Sequence, residues 1–381
     1  MVKVIKENTI DGKATGLNMN DELFMQRALE LALQGKGYTS PNPMVGAVIV
    51  KNNKVIAEGF HARCGEDHAE TAALKKCKGN VAKGATLYVN LEPCFHEGRT
   101  PPCVDAVIAA GIKEVVIAMK DPNPLTNGKS IRKLNNAGIT TRVGILGDQA
   151  GRLNEAFVKF IKEGMPFVVA KVAQTIDGKI ATTARDSMWI TSEKTREMSR
   201  TVRAEFDAIL VGVNTMMVDD PRLEPQDAKK VLKKIIVDTR LRVPLISKIF
   251  KKPEQCIVAT TNKAALSQIS LLKHKGIEVI VCPVRNNKVD LKWLFKELAK
   301  ENITSILIEG GSEVIGSALK EGLVDKMHIY IAPKIVGDQK ALSSVTGMNI
   351  SKIEEALQLK DLQVLYFHPD IRIEGYVLRN S

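Results

Sequence analysis

The sequence predicts an α/β protein built as two domains, and three observations carry that prediction. At 381 residues the chain exceeds one ordinary core, since domains run to roughly 150 residues each. In both halves, short apolar runs of strand length alternate with helix-periodic segments, the pattern of layered α/β folds. Between the halves stands Gly164-Met165-Pro166, where glycine and proline stop a helix.

Composition narrows the function. Hydrophobic residues make up 44% and charged residues 26%, ordinary for a folded chain and unlike disordered, collagen-like or disulfide-scaffold sequences. The formal net charge of +12 favours nucleic acid, anionic lipid or small phosphorylated metabolites as partners. The cations are dispersed and aromatics are only 4%, so no nucleic-acid partner is expected and small phosphates fit better. Six cysteines without an apolar leader after Met1 point to a reducing, cytoplasmic setting. No apolar run is long enough to span a bilayer. Residues 1–18 lack periodicity and read as a loose arm.

The elements follow in order. Leu23, Phe24, Ala28, Leu31 and Ala32 lie at helical spacing and predict a helix from Asp21 to about Gly35. Val45–Val50 and Val55–Gly59 flank Lys51-Asn52-Asn53-Lys54, a hairpin whose asparagines tolerate the left-handed turn conformation. Helices are then expected over His68–Cys77 and Pro102–Ala110, and strands over Thr86–Leu91 and Val115–Ala118. A short strand near Val143 precedes a helix through Leu153, Phe157 and Phe160, which closes the linker region. Beyond it, strands are expected at Phe167–Val172, Ala208–Val211, Ile235–Val237, Ile257–Ala259, Val279–Val281, Ile306–Ile308 and His328–Ile331, with a pair around Val364 and Ile373. Most of these continuous apolar runs suit strands buried on both faces.

The first half carries a set of metal-ligand residue types. His68-Ala69-Glu70 opens a predicted helix, Pro93-Cys94 follows a strand, and Cys103 comes after the eight residues Phe95 to Pro102. One imidazole and two thiolates leave the fourth tetrahedral position of Zn²⁺ to water, whose pKa falls to about 7 there. Glu70, outside the ligand set, can take the water proton and return it to the ring and leaving amine. Zinc deaminases carry H-x-E with P-C-x-x-C, and the longer gap departs from that second part. A purely structural zinc site using Cys64 with His68, or His96 with Cys94, is the alternative that the residues leave open.

The stretch Leu91-Glu92-Pro93-Cys94-Phe95-His96-Glu97-Gly98-Arg99-Thr100-Pro101-Pro102-Cys103, with Thr39-Ser40-Pro41-Asn42-Pro43-Met44-Val45-Gly46, resembles the pyrimidine deaminase of riboflavin biosynthesis. The resemblance implies a cytidine-deaminase-like α/β/α sandwich over residues 19–150. It implies zinc on His68, Cys94 and Cys103, and Glu70 as proton carrier. Asn42, His61, His96 and Arg99 match positions that hold the pyrimidine and its phosphate. Phe95 stands where a serine is usual, in a loop position dominated by backbone.

In the second half no G-x-G-x-x-G fingerprint occurs, but Ser305-Ile306-Leu307-Ile308-Glu309-Gly310-Gly311-Ser312 runs from a strand through paired glycines into a periodic helix. Glycine admits a close phosphate and the helix N-terminus offers N–H groups to it; a tight strand-to-helix turn explains the pair as well. Thr175-Ile176-Asp177-Gly178-Lys179, Trp189-Ile190-Thr191-Ser192, Val202-Arg203-Ala204-Glu205-Phe206-Asp207 and Asp219-Asp220-Pro221-Arg222-Leu223 are similar to the riboflavin-pathway reductase. That family has a fold like dihydrofolate reductase, here over residues 165–381. By the resemblance, Ala173, Trp189, Thr191, Thr215, Asp219, Thr239, Gly311 and Ser312 contact NADPH. Ser187, Arg203, Leu223 and Glu309 contact the phosphorylated substrate. Lys171, Asp219 and Glu309 are the catalytic candidates for hydride delivery to C1′ of the ribosyl group, and a homo-oligomer is implied.

Two positions depart from that family. Ala184-Arg185-Asp186 replaces a glycine-containing turn, and Gln226 stands where a phosphate-binding arginine is usual. The competing readings are a tRNA or nucleoside deaminase with an accessory domain, and a zinc-stabilised binding module.

Overall fold

In a computed structural model of the chain, the described residues are 19–95 and 102–378. The loose arm expected over 1–18, and His96 and Arg99 of the expected substrate set, lie outside the described residues. The chain divides by its contacts between Met165 and Pro166 into two compact units.

The first unit contains α1 (Met19–Leu33), β1 (Gly46–Lys51), β2 (Lys54–Phe60), α2 (Ala69–Lys76), β3 (Thr86–Leu91), α3 (Cys103–Ala109), β4 (Glu114–Met119), α4 (Lys129–Asn136), β5 (Thr140–Val143), α5 (Gly147–Leu153) and α6 (Glu155–Glu163). Its five strands run in the order β2-β1-β3-β4-β5. β1 is antiparallel to β2 and β3, whereas β3, β4 and β5 are parallel. The β1–β2 turn places Asn52 at φ 51° and Asn53 at φ 57°, the left-handed pair the hairpin requires.

Alternation along each strand feeds two cores, as a period of two demands. Ala47, Ile49, Leu87, Val89, Val115 and Ile117 pack with Ala69 and Ala73 of α2, Val104 and Val107 of α3 and Leu134 of α4. Val48, Val50, Tyr88, Val116 and Ala118 pack with Phe24, Met25 and Ala28 of α1 and Ala150 of α5. The result is the α/β/α sandwich expected. Gly59 lets α2 lie flush on β2: a Cβ there would stand 2.4 Å from Ala69 O and Ala73 N.

Two features differ from the sequence reading. Its single helix through Leu153 to Phe160 is broken at Asn154, which lies outside α5 and caps α6. Asn154 is buried, and its carboxamide accepts from Met44 N at 2.8 Å and donates to Met44 O at 2.9 Å. The first unit therefore continues past the boundary expected at 150. Helix α4, passed over because Lys129–Asn136 is largely polar, is anchored instead by buried Glu92, which accepts from Gly128 N at 2.9 Å.

The second unit holds β6 (Phe167–Thr175), β7 (Lys179–Ala181), α7 (Glu193–Arg203), β8 (Ala208–Gly212), α8 (Val213–Asp219), β9 (Lys233–Val237), β10 (Cys256–Thr261), α9 (Leu266–His274) and β11 (Glu278–Cys282). It continues with β12 (Val284–Arg285), β13 (Lys288–Val289), α10 (Leu291–Lys300), β14 (Ser305–Ile308), α11 (Ser312–Lys320), β15 (Lys326–Ala332), β16 (Leu342–Ser343), β17 (Leu359–Phe367) and β18 (Asp370–Val377). Nine strands form one sheet in the order β11-β10-β9-β8-β14-β6-β15-β18-β17. It is parallel from β11 to β15, and β18 and β17 add antiparallel pairs. β8, β10 and β14 are buried along their whole length, while β11 and β17 lie at the sheet edges and are partly exposed. Among the described residues no helix is long and apolar enough to cross a membrane.

Candidate functional site

In the first unit, strand and helix ends converge on one point. His68 is the N-cap of α2 and Cys103 the first residue of α3, while Cys94 lies three residues past the end of β3. His68 Nδ1 lies 3.2 Å from Cys103 Sγ and 3.5 Å from Cys94 Sγ. Cys103 N–H donates to Cys94 Sγ at 3.2 Å. The three donor atoms lie within 4.8 Å of one another, a spacing that a tetrahedral zinc with bonds of about 2.0–2.3 Å closes. Cys64, the alternative partner for His68, is exposed and is no part of this group.

Glu70 sits in the first turn of α2 and is 3% exposed. Burial, with the Cys94 thiolate beside it, pushes its carboxyl up to about 7, where a carboxyl both accepts and returns protons near neutrality. Cys94 is held well below the usual thiol range, first by the Cys103 thiol that donates to it and then, against burial, by His68. One of the two sulfurs is thus a ready thiolate, the form a metal requires.

His61, 2% exposed, closes one side, its ring edge-on to His68 with centroids 5.3 Å apart. Its Nδ1 is 3.0 Å from Asp67 O, an atom that only accepts, so Nδ1 carries the proton. Nε2 therefore accepts from Asn42 Nδ2 at 3.1 Å, which fixes the end of the Asn42 carboxamide that faces the ring. Burial lowers the His61 pKa, consistent with this neutral form. Phe95 is more than a backbone position: its ring packs against the core and under Lys129 and Lys133 of α4 at 6.0 and 5.6 Å.

Sequence reasoning missed Glu92, whose 2% exposed carboxylate takes the N–H groups of Gly128 at 2.9 Å, Asp121 at 3.3 Å and Ile131 at 3.4 Å. A carboxylate wedged before Pro93-Cys94 was the available signal. Its partners come from a segment that local sequence does not bring near.

In the second unit, the expected residues gather where open parallel sheets hold ligands, at the carboxyl ends of strands. Lys171 and Ala173 lie on β6, Thr215 and Asp219 on α8 after β8, and Thr239 just past β9. Glu309 and Gly311 follow β14, and Ser312 opens α11. Gly311 faces Thr215, whose Oγ1 would stand 3.3 Å from a Cβ there. Ser312 is buried and bonded to Thr346 Oγ1 at 3.3 Å. Ser187 Oγ donates to Asp219 Oδ1 at 3.0 Å. Exposed Trp189 lies under the Arg196 guanidinium at 4.2 Å, and the same arginine donates to Thr191 O at 2.8 Å. Thr239 O accepts from Thr261 Oγ1 at 2.9 Å.

Lys171, Arg203 and Glu309 form one charged group. Arg203 Nε and Nη2 each donate to a Glu309 oxygen at 2.8 Å, and Nη1 donates to Glu224 O at 3.0 Å. Burial opposes the charged form of Glu309, yet Arg203 and then Lys171 outweigh it and hold the carboxyl down to about 2. Lys171 is lowered by burial and by Arg203, with Glu309 opposing. Arg203 thus grips Glu309 with both arms of its fork. The Leu223 side chain is in the core at φ 52°, so a ligand would meet its backbone. Gln226 Oε1 accepts from Thr201 Oγ1 at 2.6 Å.

Comparison with known proteins bears on both units. The family model of the RibD C-terminal domain matches residues 166–373. The cytidine and deoxycytidylate deaminase zinc-binding region matches residues 18–119. The riboflavin biosynthesis protein RibD of Aquifex aeolicus is 43% identical over 93% of this chain and 97% of its own. That of Actinobacillus pleuropneumoniae is 42% identical over 94% and 96%. Acinetobacter baumannii RibD superposes with a TM-score of 0.86 at 38% identity, over 94% of this chain and 99% of that one. A Thermotoga maritima protein described as a diaminohydroxyphosphoribosylaminopyrimidine deaminase/5-amino-6-(5-phosphoribosylamino)uracil reductase does so at 0.83 and 33%, over 94% and 99%. A nucleic-acid deaminase with an accessory domain is not favoured, because the second half is itself matched as a RibD domain. The chain belongs to the RibD family of riboflavin biosynthesis enzymes, in which a deaminase and a reductase share one polypeptide.

Proposed function

We propose that the first unit hydrolyses an amine from a diaminohydroxyphosphoribosylaminopyrimidine, and that the second reduces the ribosyl group of the product to a ribityl chain with NADPH. The observation that carries the reading is the His68, Cys94 and Cys103 donor set with buried Glu70 two residues after His68 in the first turn of α2. Zinc, when bound by these three, turns a water into a nucleophile near neutral pH. Glu70 would carry one proton of the attacking water to the ring nitrogen and the second, from the hydroxyl of the adduct, to the amine, which leaves as ammonia. His61 and Asn42, with His96 and Arg99, bind the pyrimidine and its phosphate.

In the second unit, the Thr215–Gly311 contact and the start of α11 suit a dinucleotide phosphate, with Ala173, Trp189, Thr191, Asp219, Thr239 and Ser312 around it. NADPH supplies the hydride when bound. Lys171 and Glu309 orient the ribosyl carbon and manage the proton, with Ser187, Arg203 and the Leu223 backbone toward the substrate and Asp219 steadying Ser187. The setting is the reducing cytoplasm, in keeping with six free cysteines, and the working form is a homo-oligomer. A chelator tests the division of labour. Stripping zinc should abolish deamination while NADPH oxidation with the deaminated substrate continues; deamination by protein shown to be metal-free contradicts the reading.

A further inference from the structure

Beside Lys171 the reductase unit carries a row of ionisable side chains that the proposed chemistry leaves unused. Parallel pairing of β6 with β15 sets Lys171 opposite His328 and Ala173 opposite Tyr330. Antiparallel pairing of β15 with β18 extends these rows to Glu374 and Arg372. Residues two apart on a strand, and their cross-strand partners, share a face. One face of the sheet therefore presents Lys171, His328, Tyr330, Arg372 and Glu374 together.

Tyr330 is at the centre of this group and is wholly buried. Its ring centroid lies 5.6 Å from Lys171 Nζ, within cation–π range. Its hydroxyl accepts from Arg372 Nη1 at 3.2 Å. Arg372 is fixed in turn, because Nη2 lies 2.5 Å from Glu374 Oε1. Glu374 also faces His328 Nε2 at 3.6 Å and Lys326 Nζ at 3.7 Å. A lysine side chain has a flexible four-carbon stem and no directional fork, so a buried ammonium needs its surroundings to fix it.

We propose that Tyr330 is a positioning residue of the reductase, its ring face seating the Lys171 ammonium beside Glu309 while Arg372, held by Glu374, fixes the ring. The proposal rests on the reading of Lys171 as a working group. Around Lys171, Glu309 and the ring favour the ammonium, and burial and Arg203 oppose it; His328, its cross-strand neighbour, and Arg372 stand on the same sheet face. Removing the ring therefore makes Lys171 easier to deprotonate.

The test uses the full chain. NADPH oxidation with the deaminated substrate is followed against pH, and the Lys171 Cε resonance is titrated by NMR in cofactor-free protein. Tyr330→Leu should lower kcat roughly ten- to a hundredfold. It should also move both the alkaline limb and the NMR titration down by about 0.5–1 pH unit. Tyr330→Phe, which keeps the ring, should leave the titration in place. Tyr330→Met, with similar bulk and no ring face, replaces the leucine chain if that chain does not fold. A limb and titration that stay at parental pH without the ring overturn the proposal, as does a Phe chain that shifts as far as the Leu chain. A Lys171→Met chain that reduces at the parental rate overturns the reading of Lys171 and the proposal with it. An inactive Lys171→Met chain beside an unshifted Tyr330→Leu chain overturns the proposal alone.

Discussion

In the proposed function Glu70 concentrates the deaminase chemistry in one carboxyl, because His68, Cys94 and Cys103 would serve as metal donors and Glu70 is buried beside them. Glu70→Gln keeps the shape and removes the titration. It should retain stoichiometric zinc by atomic emission while deamination falls roughly 10²–10⁴-fold; a variant that loses metal, or keeps its rate, contradicts the assignment. These four residues were legible in the sequence because the chemistry dictates both residue type and order. Glu92 and Asn154 were not, since each acts through backbone groups that only tertiary folding supplies. Arg203 was legible as an important cation, yet its partner Glu309, 106 residues away, could not be read from spacing.

At the level of elements, the Arg203–Glu309 fork staples the end of α7 to the loop after β14. The Glu309 carboxyl falls from an unfolded value near 4.5 to about 2 in the fold. A depressed carboxylate contributes stability that is complete above its unfolded pKa and is lost as pH falls through the folded one. The contribution is roughly 3 kcal/mol, lost between about pH 5 and pH 2. Both tryptophans, Trp189 and Trp293, lie in the second unit, so their fluorescence in urea reports that unit. Glu309→Gln should destabilise it by about 3–5 kcal/mol at neutral pH, because the largely buried Arg203 loses its carboxylate partner, and should flatten the acid slope. An unchanged slope would place the acid sensitivity elsewhere. The strands at this scale were readable as apolar runs and the β1–β2 turn from its two asparagines. Polar helices such as α4 and α7 were passed over, because their few buried positions, Ser130 and Leu134 in one and Thr195, Ser199 and Val202 in the other, include a single apolar residue each.

Across the whole molecule, two alternations of strand and helix announced two units, and Gly164-Met165-Pro166 marked where they part. The end expected for the first domain at 150 followed the extent of the resemblance. The contacts place the division at Met165–Pro166, because α5 packs on the first unit's sheet and Asn154 secures the loop that carries Asn42. The assigned chemistries share no residue, so the first unit should complete its reaction without the second unit's cofactor. The most direct measurement is incubation of the full zinc-loaded chain with the phosphorylated diaminopyrimidine, with and without NADPH, reading products by mass. Without NADPH the product should have one amine exchanged for oxygen and an intact ribosyl group. With NADPH that species should be consumed and a ribityl product should appear as NADPH is oxidised. Substrate returned unchanged without NADPH, or a ribosyl group that persists with it, would contradict the account.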